Sequence, residues 1–518
     1  MENNPKYMIG VDIGTTSTKA VLYKTNGEVM ADANHGYELF TPDISTAEQD
    51  PENIFEAVMK AIEEVMRSSN IPKEDLLFVS FSSAMHSLIV IDGHHQPITN
   101  CITWADNRSA KWSKKIKEEW DGHSIYLKTG TPIHPMSPLS KITWLTNDRP
   151  DIARAAHKYI GIKEFIFYRL FDEYVVDYSI ASATGLFNLK ELAWDKQALD
   201  VAGIHENQLS RLVPTTEFFS NCHQQWAQKL GILHTTPFII GASDGVLSNI
   251  GVNAIKKGDV AITIGTSGAI RTVISEPKTD PKGRTFCYAL TENHWVIGGP
   301  VNNGGVVLRW IRDELAASEV ETAKRLGIDP YEVLTRIAER VVPGANGLLF
   351  HPFLAGERAP LWNPDVRGSF FGLTLSHKKE HMIRAALEGV IFNLYTVYLA
   401  LVEAMDGEVA SIKATGGFAR SEVWRQMMSD IFDTSVEVPE SFESSCLGAC
   451  MLGLYRFEKI ASLEVVEDLV GNSFKHKPNR SHVEHYRQLI PIFINVSRSL
   501  EKEYQQMAIY QRKLDETK

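Results

Sequence analysis

The chain has 518 residues, 44% hydrophobic and 23% charged, a composition of ordinary soluble globular proteins and a length beyond what one hydrophobic core usually covers, so two domains are expected. Its 53 Lys and Arg against 64 Asp and Glu give a net charge of −11, and no basic block stands out, which argues against nucleic acid or an anionic membrane as the main partner. No run is read as the roughly 18 apolar residues of a spanning helix, and no basic-then-apolar leader precedes the first strand, so a cytoplasmic protein without a membrane partner is expected.

Residues 7–13 form an apolar β-type run that ends in Gly14, continues through the hydroxyl residues Thr15, Thr16, Ser17 and Thr18, and resumes as an apolar run over 20–23. The pattern is strand, glycine turn, strand. Helical periodicity follows over 51–67 behind Asp50-Pro51, with Pro at the first-turn position where its missing N–H costs nothing. Strands are expected over 76–82 and 87–91, separated by Ser83-Ala84-Met85-His86, and a strand from 238 leads into Ala242-Ser243-Asp244-Gly245.

The second half repeats the order. An apolar run over 260–264 ends in Gly265-Thr266-Ser267-Gly268 and resumes over 270–274. A strand around 295–297, a helix over 304–315, a strand ending in Thr415-Gly416-Gly417 and a helix over 421–432 are expected after it. A helical tail over 483–513 reads either as a dimer contact or, more simply, as a surface helix on its own domain. The repeat suggests domains over 1–253 and 254–518. Five cysteines, Cys101, Cys222, Cys287, Cys446 and Cys450, are odd in number and without a metal-ligand pattern; Cys446 and Cys450, four apart, read as buried thiols before a metal site.

Two glycine turns, one per half, suggest a polyphosphate held between related domains, because such turns let backbone N–H groups face phosphate at close range. Asp12, before the first turn, is either a locally satisfied turn residue or a ligand for Mg²⁺; the companion turn favours the ligand. Asp244 is either a helix N-cap or a carboxylate placed at a strand end to take a proton from an acceptor hydroxyl. Gly416-Gly417 before a helix permits a flat ring or a phosphate to approach. No P-loop, protein-kinase or dinucleotide-binding fingerprint occurs in the right setting. Trp104, Asp106, Arg108, Met85 and His86 are residue types that could form the fork and wall sugars need, but on the residues alone a surface Asp106–Arg108 salt bridge and a core His86 are the readings preferred.

The run Gly368-Ser369-Phe370-Phe371-Gly372-Leu373, followed after seven residues by His381-Met382-Ile383-Arg384-Ala385-Ala386-Leu387-Glu388, resembles the C-terminal signature of the FGGY carbohydrate kinases throughout. The run from Met136 to Leu145 resembles the N-terminal one, with a small departure near Asp148. The resemblance covers about residues 7–460. It implies an α/β fold of two actin-like (RNase-H-like) domains, each a mixed sheet flanked by helices, with an interdomain active-site cleft, and ATP and Mg²⁺ as co-substrate and metal.

Carried over by position, the resemblance implies that Asp244 is the general base and that Asp12 and Asp244 are metal-linked. Thr15, Thr16, Lys19, Gly265 and Thr266 fall at phosphate-side positions, and Gly305, Arg309, Gly417 and Ser421 at nucleotide-side ones. Met85, His86, Trp104, Asp106 and Met136 fall at sugar-side positions; Arg309 stands where glycerol kinases carry Gln. The segments 81–87, 103–108 and 130–136 are similar to those of family members that act on gluconate, which implies phosphorylation of its C6 hydroxyl. Glycerol kinases have Arg-Glu in place of Met85-His86, and xylulose kinases have Gly-Gln in place of Ser83-Ala84, so xylulose or ribulose is the second choice of acceptor. A gluconate carboxylate would need a cationic or multiply donating partner, for which Arg108, His86 and His134 are the candidates. A non-catalytic actin-like ATP-binding protein would need neither the sugar-side cluster nor the signatures.

Overall fold

The computed structural model describes residues 6–405, 409–439, 444–466 and 473–515. The chain forms two compact units: Met1–Lys256, Val273–Ile297 and Glu443–Gly471 make the first, and Lys257–Thr272, Gly298–Phe442 and Asn472–Lys518 the second. The chain first crosses between units within a few residues of the expected 253/254 boundary. It then returns twice, so neither unit is a single stretch of sequence.

The first unit is built on a six-stranded sheet in the order Phe218–Phe219, Phe238–Ser243, Leu76–Ser83, Tyr7–Ile13, Ser17–Lys24, Val29–Gly36. Tyr7–Ile13, Leu76–Ser83 and Phe238–Ser243 run parallel, while Ser17–Lys24 and Val29–Gly36 continue the sheet antiparallel. The central strands read as near-continuous apolar runs because both faces are covered. Ile9, Val11 and Ile13 join the core of helix Pro51–Ser69 through Phe55, Val58 and Ile62. Met8, Val21 and Phe78 turn to the other side, into the core of helices Asp244–Gly251 and Ser444–Arg456. Helix Pro51–Ser69 starts as expected: the Asp50 side chain accepts from Glu52 N at 2.8 Å, satisfying an otherwise orphaned donor.

Strand Phe238–Ser243 runs two residues beyond Gly241, where the apolar run gives out, and its register against Leu76–Ser83 shifts between Ile239 and Ala242. Gly241 has φ +67°, and a Cβ there would lie 1.7 Å from the Phe81 carbonyl oxygen, so only glycine lets this strand bulge. The bulge delivers Ser243 and Asp244 to the carboxyl end of the sheet.

The second unit repeats the arrangement. Ser473–His476, Val436–Pro439, Ser411–Thr415, Asp259–Ile264 and Gly268–Ile274 are hydrogen-bonded neighbours in that order. The middle three are parallel and both outer strands antiparallel, matching five strands of the first sheet position for position. Helix Lys379–Ala404 supplies the core under this sheet. It corrects the expectation about spanning runs: by length and composition it could cross a membrane, yet 72% of its most apolar window is buried inside the protein, as befits a core helix apolar on all sides.

The tail forms two helices, Arg480–Ser499 and Glu501–Asp515. The first buries Val483, Tyr486 and Phe493 and the second seats Tyr504 against Phe353 and Val366, so the tail packs on its own unit. All five cysteines are buried and none is in a disulfide, and burial raises the Cys450 thiol well above its ordinary pKa. Cys446 and Cys450 sit in the apolar core of the first unit, and no cluster of three or more metal-ligating side chains is present among the described residues.

Candidate active site

Each glycine turn is closed by its own glycine, the second turn being one residue shorter. Gly14 N donates to Ser17 O at 3.0 Å and Gly265 N to Ser267 O at 2.9 Å. The residue two before each glycine is bonded to its parallel neighbour: Ser82 Oγ donates to Asp12 Oδ1 at 2.6 Å, and Thr263 and Thr415 share a hydroxyl bond of 3.0 Å. Register pairs the same positions, Asp12 with Ser82 and Thr263 with Thr415. The duplicated frame therefore carries a carboxylate in one copy and a hydroxyl in the other.

Two of the expected phosphate-side residues and all four nucleotide-side ones come together in the second unit. Gly265, Thr266, Gly305, Arg309, Gly417 and Ser421 line one cavity of about 460 Å³, a size typical of small-molecule sites. Gly305 N donates to Gly265 O at 2.6 Å and Val306 N to Thr266 O at 3.0 Å, which docks helix Gly305–Trp310 onto the turn. Ser421 caps helix Glu422–Phe432 by accepting from Trp424 N at 3.2 Å. Leu308, Phe418 and Trp424 add apolar wall, with Phe418 edge-on to Trp424 at 5.7 Å.

Sequence reading missed Tyr331, Glu332, Thr335, Phe418 and Arg420 of this cavity. Asp329-Pro330 is a legible helix start, and Asp329 does accept from Tyr331 N at 2.9 Å, but nothing local says which surface that helix faces. Also missed was Glu357. Its carboxylate accepts from Asn302 N at 2.5 Å, Asn303 Nδ2 at 2.9 Å, Asn393 Nδ2 at 2.7 Å and Arg358 N at 2.9 Å, fixing the segment that leads into Gly305. Burial pushes its carboxyl pKa up, against the bonds from Asn303, Asn302 and Arg358 and the Arg358 charge.

A Cβ on Gly305 would lie 2.7 Å from the Gly265 carbonyl oxygen, closer than such atoms approach. Gly305→Ala is expected to push the turn out of place and raise the KM for ATP by about tenfold or more, read from initial rates; an unchanged KM would remove the turn from the nucleotide site.

In the first unit, Thr15 is tied to the sugar-side segment: Trp104 Nε1 donates to Thr15 Oγ1 at 2.9 Å, and Gln49 Nε2 to Thr15 O at 2.6 Å. Thr16 is the exposed tip of the turn. Lys19 lies 3.6 Å from Asp32 Oδ2. Asp244 is not the N-cap of its helix; Ser243 is, and Asp244 Oδ1 accepts from Gly245 N at 2.6 Å. Behind it, Lys163 Nζ pairs with Asp177 Oδ2 at 2.7 Å and donates to Ala242 O at 3.2 Å, both partners of the pair almost wholly buried. Burial draws the Lys163 pKa down and Asp177 opposes it.

Asp12 lies on, and Asp244 directly follows, one of the two strands that flank Leu76–Ser83, at the same end of the sheet and two strand spacings or roughly 10 Å apart at the backbone. Two carboxylates without a full protein cage fit Mg²⁺, which keeps several waters and takes further oxygens from substrate phosphates.

The remaining sugar-side residues are held firmly. His86, at φ +69°, places Nδ1 2.7 Å from Ala183 O and is 8% exposed. Met136 is buried and Met85 partly so. His134 Nδ1 accepts from Met136 N at 3.2 Å. Asp106 is fully buried, accepts from Ala47 N at 3.0 Å, and pairs with Arg108 at 2.8 Å. Arg108 also pairs with Glu48 and lies 4.8 Å above the Trp144 ring. The plain reading of Asp106 and Arg108 as a salt bridge is thus the observed one, with Asp106 buried and Arg108 partly exposed.

Helix Pro138–Asp148 carries Lys141, fully buried. Its Nζ donates to His86 O at 2.6 Å, Thr103 O at 2.7 Å and Ile102 O at 3.4 Å. Burial draws its pKa down to about 7, opposed first by Asp106; three carbonyl acceptors call for all three N–H bonds of an ammonium.

The N-terminal domain of the FGGY family of carbohydrate kinases matches residues 7–251 and its C-terminal domain residues 260–457. A gluconokinase of Bacillus licheniformis is 67% identical over 512 residues, 99% of each chain. Two crystal structures from Lactobacillus acidophilus, one described as a gluconate kinase and the other as a ligand-bound xylulose kinase, each superpose with a TM-score of 0.92 at 38% identity, covering 97% of this chain and 100% of theirs. With both domains matched in order over most of its length, the chain belongs to the FGGY family of carbohydrate kinases.

Proposed function

We propose that the protein phosphorylates D-gluconate at its C6 hydroxyl with ATP, giving 6-phospho-D-gluconate and ADP. The observation that carries this reading is the 67% identity with a gluconokinase over 99% of both chains. The two structures at TM-score 0.92 support the fold and leave gluconate and xylulose level.

In this reading the second unit holds ATP in the cavity lined by Gly265, Thr266, Gly305, Arg309, Gly417 and Ser421, and the first unit supplies the acceptor side. Met85, His86, Trp104 and Met136 orient the sugar acid. Because Arg108 already serves Asp106 and Glu48, the donors for the substrate carboxylate are assigned first to His86 and His134. Asp244 accepts the C6 hydroxyl proton. Thr15, Thr16 and Lys19 stand on the phosphate side of the first turn. Mg²⁺, held through Asp12 and Asp244, would neutralise charge on the phosphate oxygens. The enzyme would act in the cytosol, where ATP is made.

An ADP-release assay with gluconate, xylulose, ribulose, glycerol and no sugar tests the proposal. Gluconate is expected to give the highest kcat/KM; a higher value with xylulose or ribulose would move the assignment to that acceptor, and no turnover above the sugar-free rate would end it.

A further inference from the structure

We infer that Lys141 is the positioning residue of the acceptor site: one buried ammonium holds the segments that carry His86 and Trp104 in a fixed relation. The inference rests on those segments being the acceptor side, as proposed above.

Three elements converge on this one nitrogen. His86 O and Thr103 O accept at 2.6 and 2.7 Å, and Ile102 O is a longer third partner at 3.4 Å. Lys141 itself comes from helix Pro138–Asp148, whose N-cap Ser137 directly follows Met136. The reach extends further through Thr103: the next residue, Trp104, bonds Thr15 of the first glycine turn at 2.9 Å. His86 needs such a hold, since its left-handed backbone, φ +69°, is disfavoured for a side-chain-bearing residue. Its carbonyl is fixed by Lys141 while its ring is fixed by Ala183 O at 2.7 Å.

No carboxylate lies within ion-pair distance of Lys141 among the described residues; Asp106, the acid that acts on it electrostatically, is spent on Arg108 and Ala47 N. A buried ammonium with no ion-pair partner is a costly way to fill space, and an apolar side chain of similar length would do that better. What methionine could not do is donate to the carbonyls of the two substrate segments. Truncating the donor would leave both carbonyls unsatisfied and let the segments drift, which weakens acceptor binding more than phosphoryl transfer from an acceptor already bound.

The test uses the full chain with Lys141→Met and Lys141→Gln. Lys141→Met is expected to raise the KM for gluconate by about tenfold or more, with kcat and the KM for ATP within about threefold of the parent. Lys141→Gln, which keeps an N–H donor, should fall between. A gluconate KM within about threefold of the parent in folded Lys141→Met overturns the inference. So does a parallel loss of kcat and both KM values, or failure of both variants to give folded, ATP-binding protein, since each would make Lys141 a residue of general folding. If the parent enzyme does not turn over gluconate, the functional reading fails instead, and the two failures are told apart by the parent's own rates.

Discussion

Asp244→Asn is expected to lower kcat by about 10²–10⁴-fold, the span of a general base, with ATP binding unchanged. The substitution is conservative where structure is concerned: the Asn side-chain oxygen can still accept from Gly245 N, the bond made by Asp244 Oδ1 at 2.6 Å. The strand end beneath it is held independently by Lys163 on Ala242 O and by Ser179 on Ser243 N at 3.1 Å. What Asn lacks is basicity toward the acceptor hydroxyl. The cavity proposed for the nucleotide is lined wholly by residues of the second unit, so a nucleotide titration is a clean control. Retained kcat would remove Asp244 from the base role; lost ATP binding would point to a folding defect.

Arg384→Met is expected to cost about 3–5 kcal/mol of stability, because it strands a buried carboxylate. Arg384 Nε bonds Glu388 Oε1 at 2.7 Å, with further bonds to Val341 O at 2.7 Å, Ala338 O at 3.1 Å and the Tyr486 hydroxyl at 3.0 Å. Glu388 Oε1 also accepts from Tyr486 at 2.7 Å and Gly344 N at 3.0 Å. The cluster ties helix Lys379–Ala404 to the 338–344 segment and the tail helix. Denaturant unfolding of the second unit is the measurement. Arg384→Met with Glu388→Leu should recover much of the loss, since an apolar pair leaves no charge behind; a double variant no better than the single one would show that the hydrogen bonds to Val341, Ala338 and Gly344 carry the cost. Both residues belong to the run that resembles the family signature, so part of that signature is a structural clamp.

Local elements were legible where a single stretch of chain decides them. The glycine turns, the Asp50-Pro51 helix start and the approach to Asp244 need only neighbours in sequence. Departures arise where a distant partner intervenes. The strand expected over 87–91 begins at Ile89, because the chain before it is spent on the turn that puts His86 at positive φ. The helix expected over 304–315 is Gly305–Trp310 followed by the wider turn Ile311–Leu315. The strand expected to stop at Gly241 continues to Ser243 through a bulge whose space is set by Phe81. Lys141 lies in the run that resembles the N-terminal signature, yet nothing local gives its role, and Glu357 carries no sequence signal, since both bond groups 30 or more residues away.

The sequence alone determined the duplicated turns and, with them, Gly265, Thr266 and Gly417 of the cavity proposed for the nucleotide, because glycine and hydroxyl positions in a turn follow from local backbone needs; Gly305, Arg309 and Ser421 came from the family resemblance. It also determined, through the difference between Asp12 and Thr263, that the copies are unequal. Only the tertiary structure decided that Asp106 and Arg108 face each other and Glu48, that the chain returns twice to the first unit, and that an apolar helix over Lys379–Ala404 is core. Those outcomes depend on burial, and burial belongs to what surrounds a residue in space.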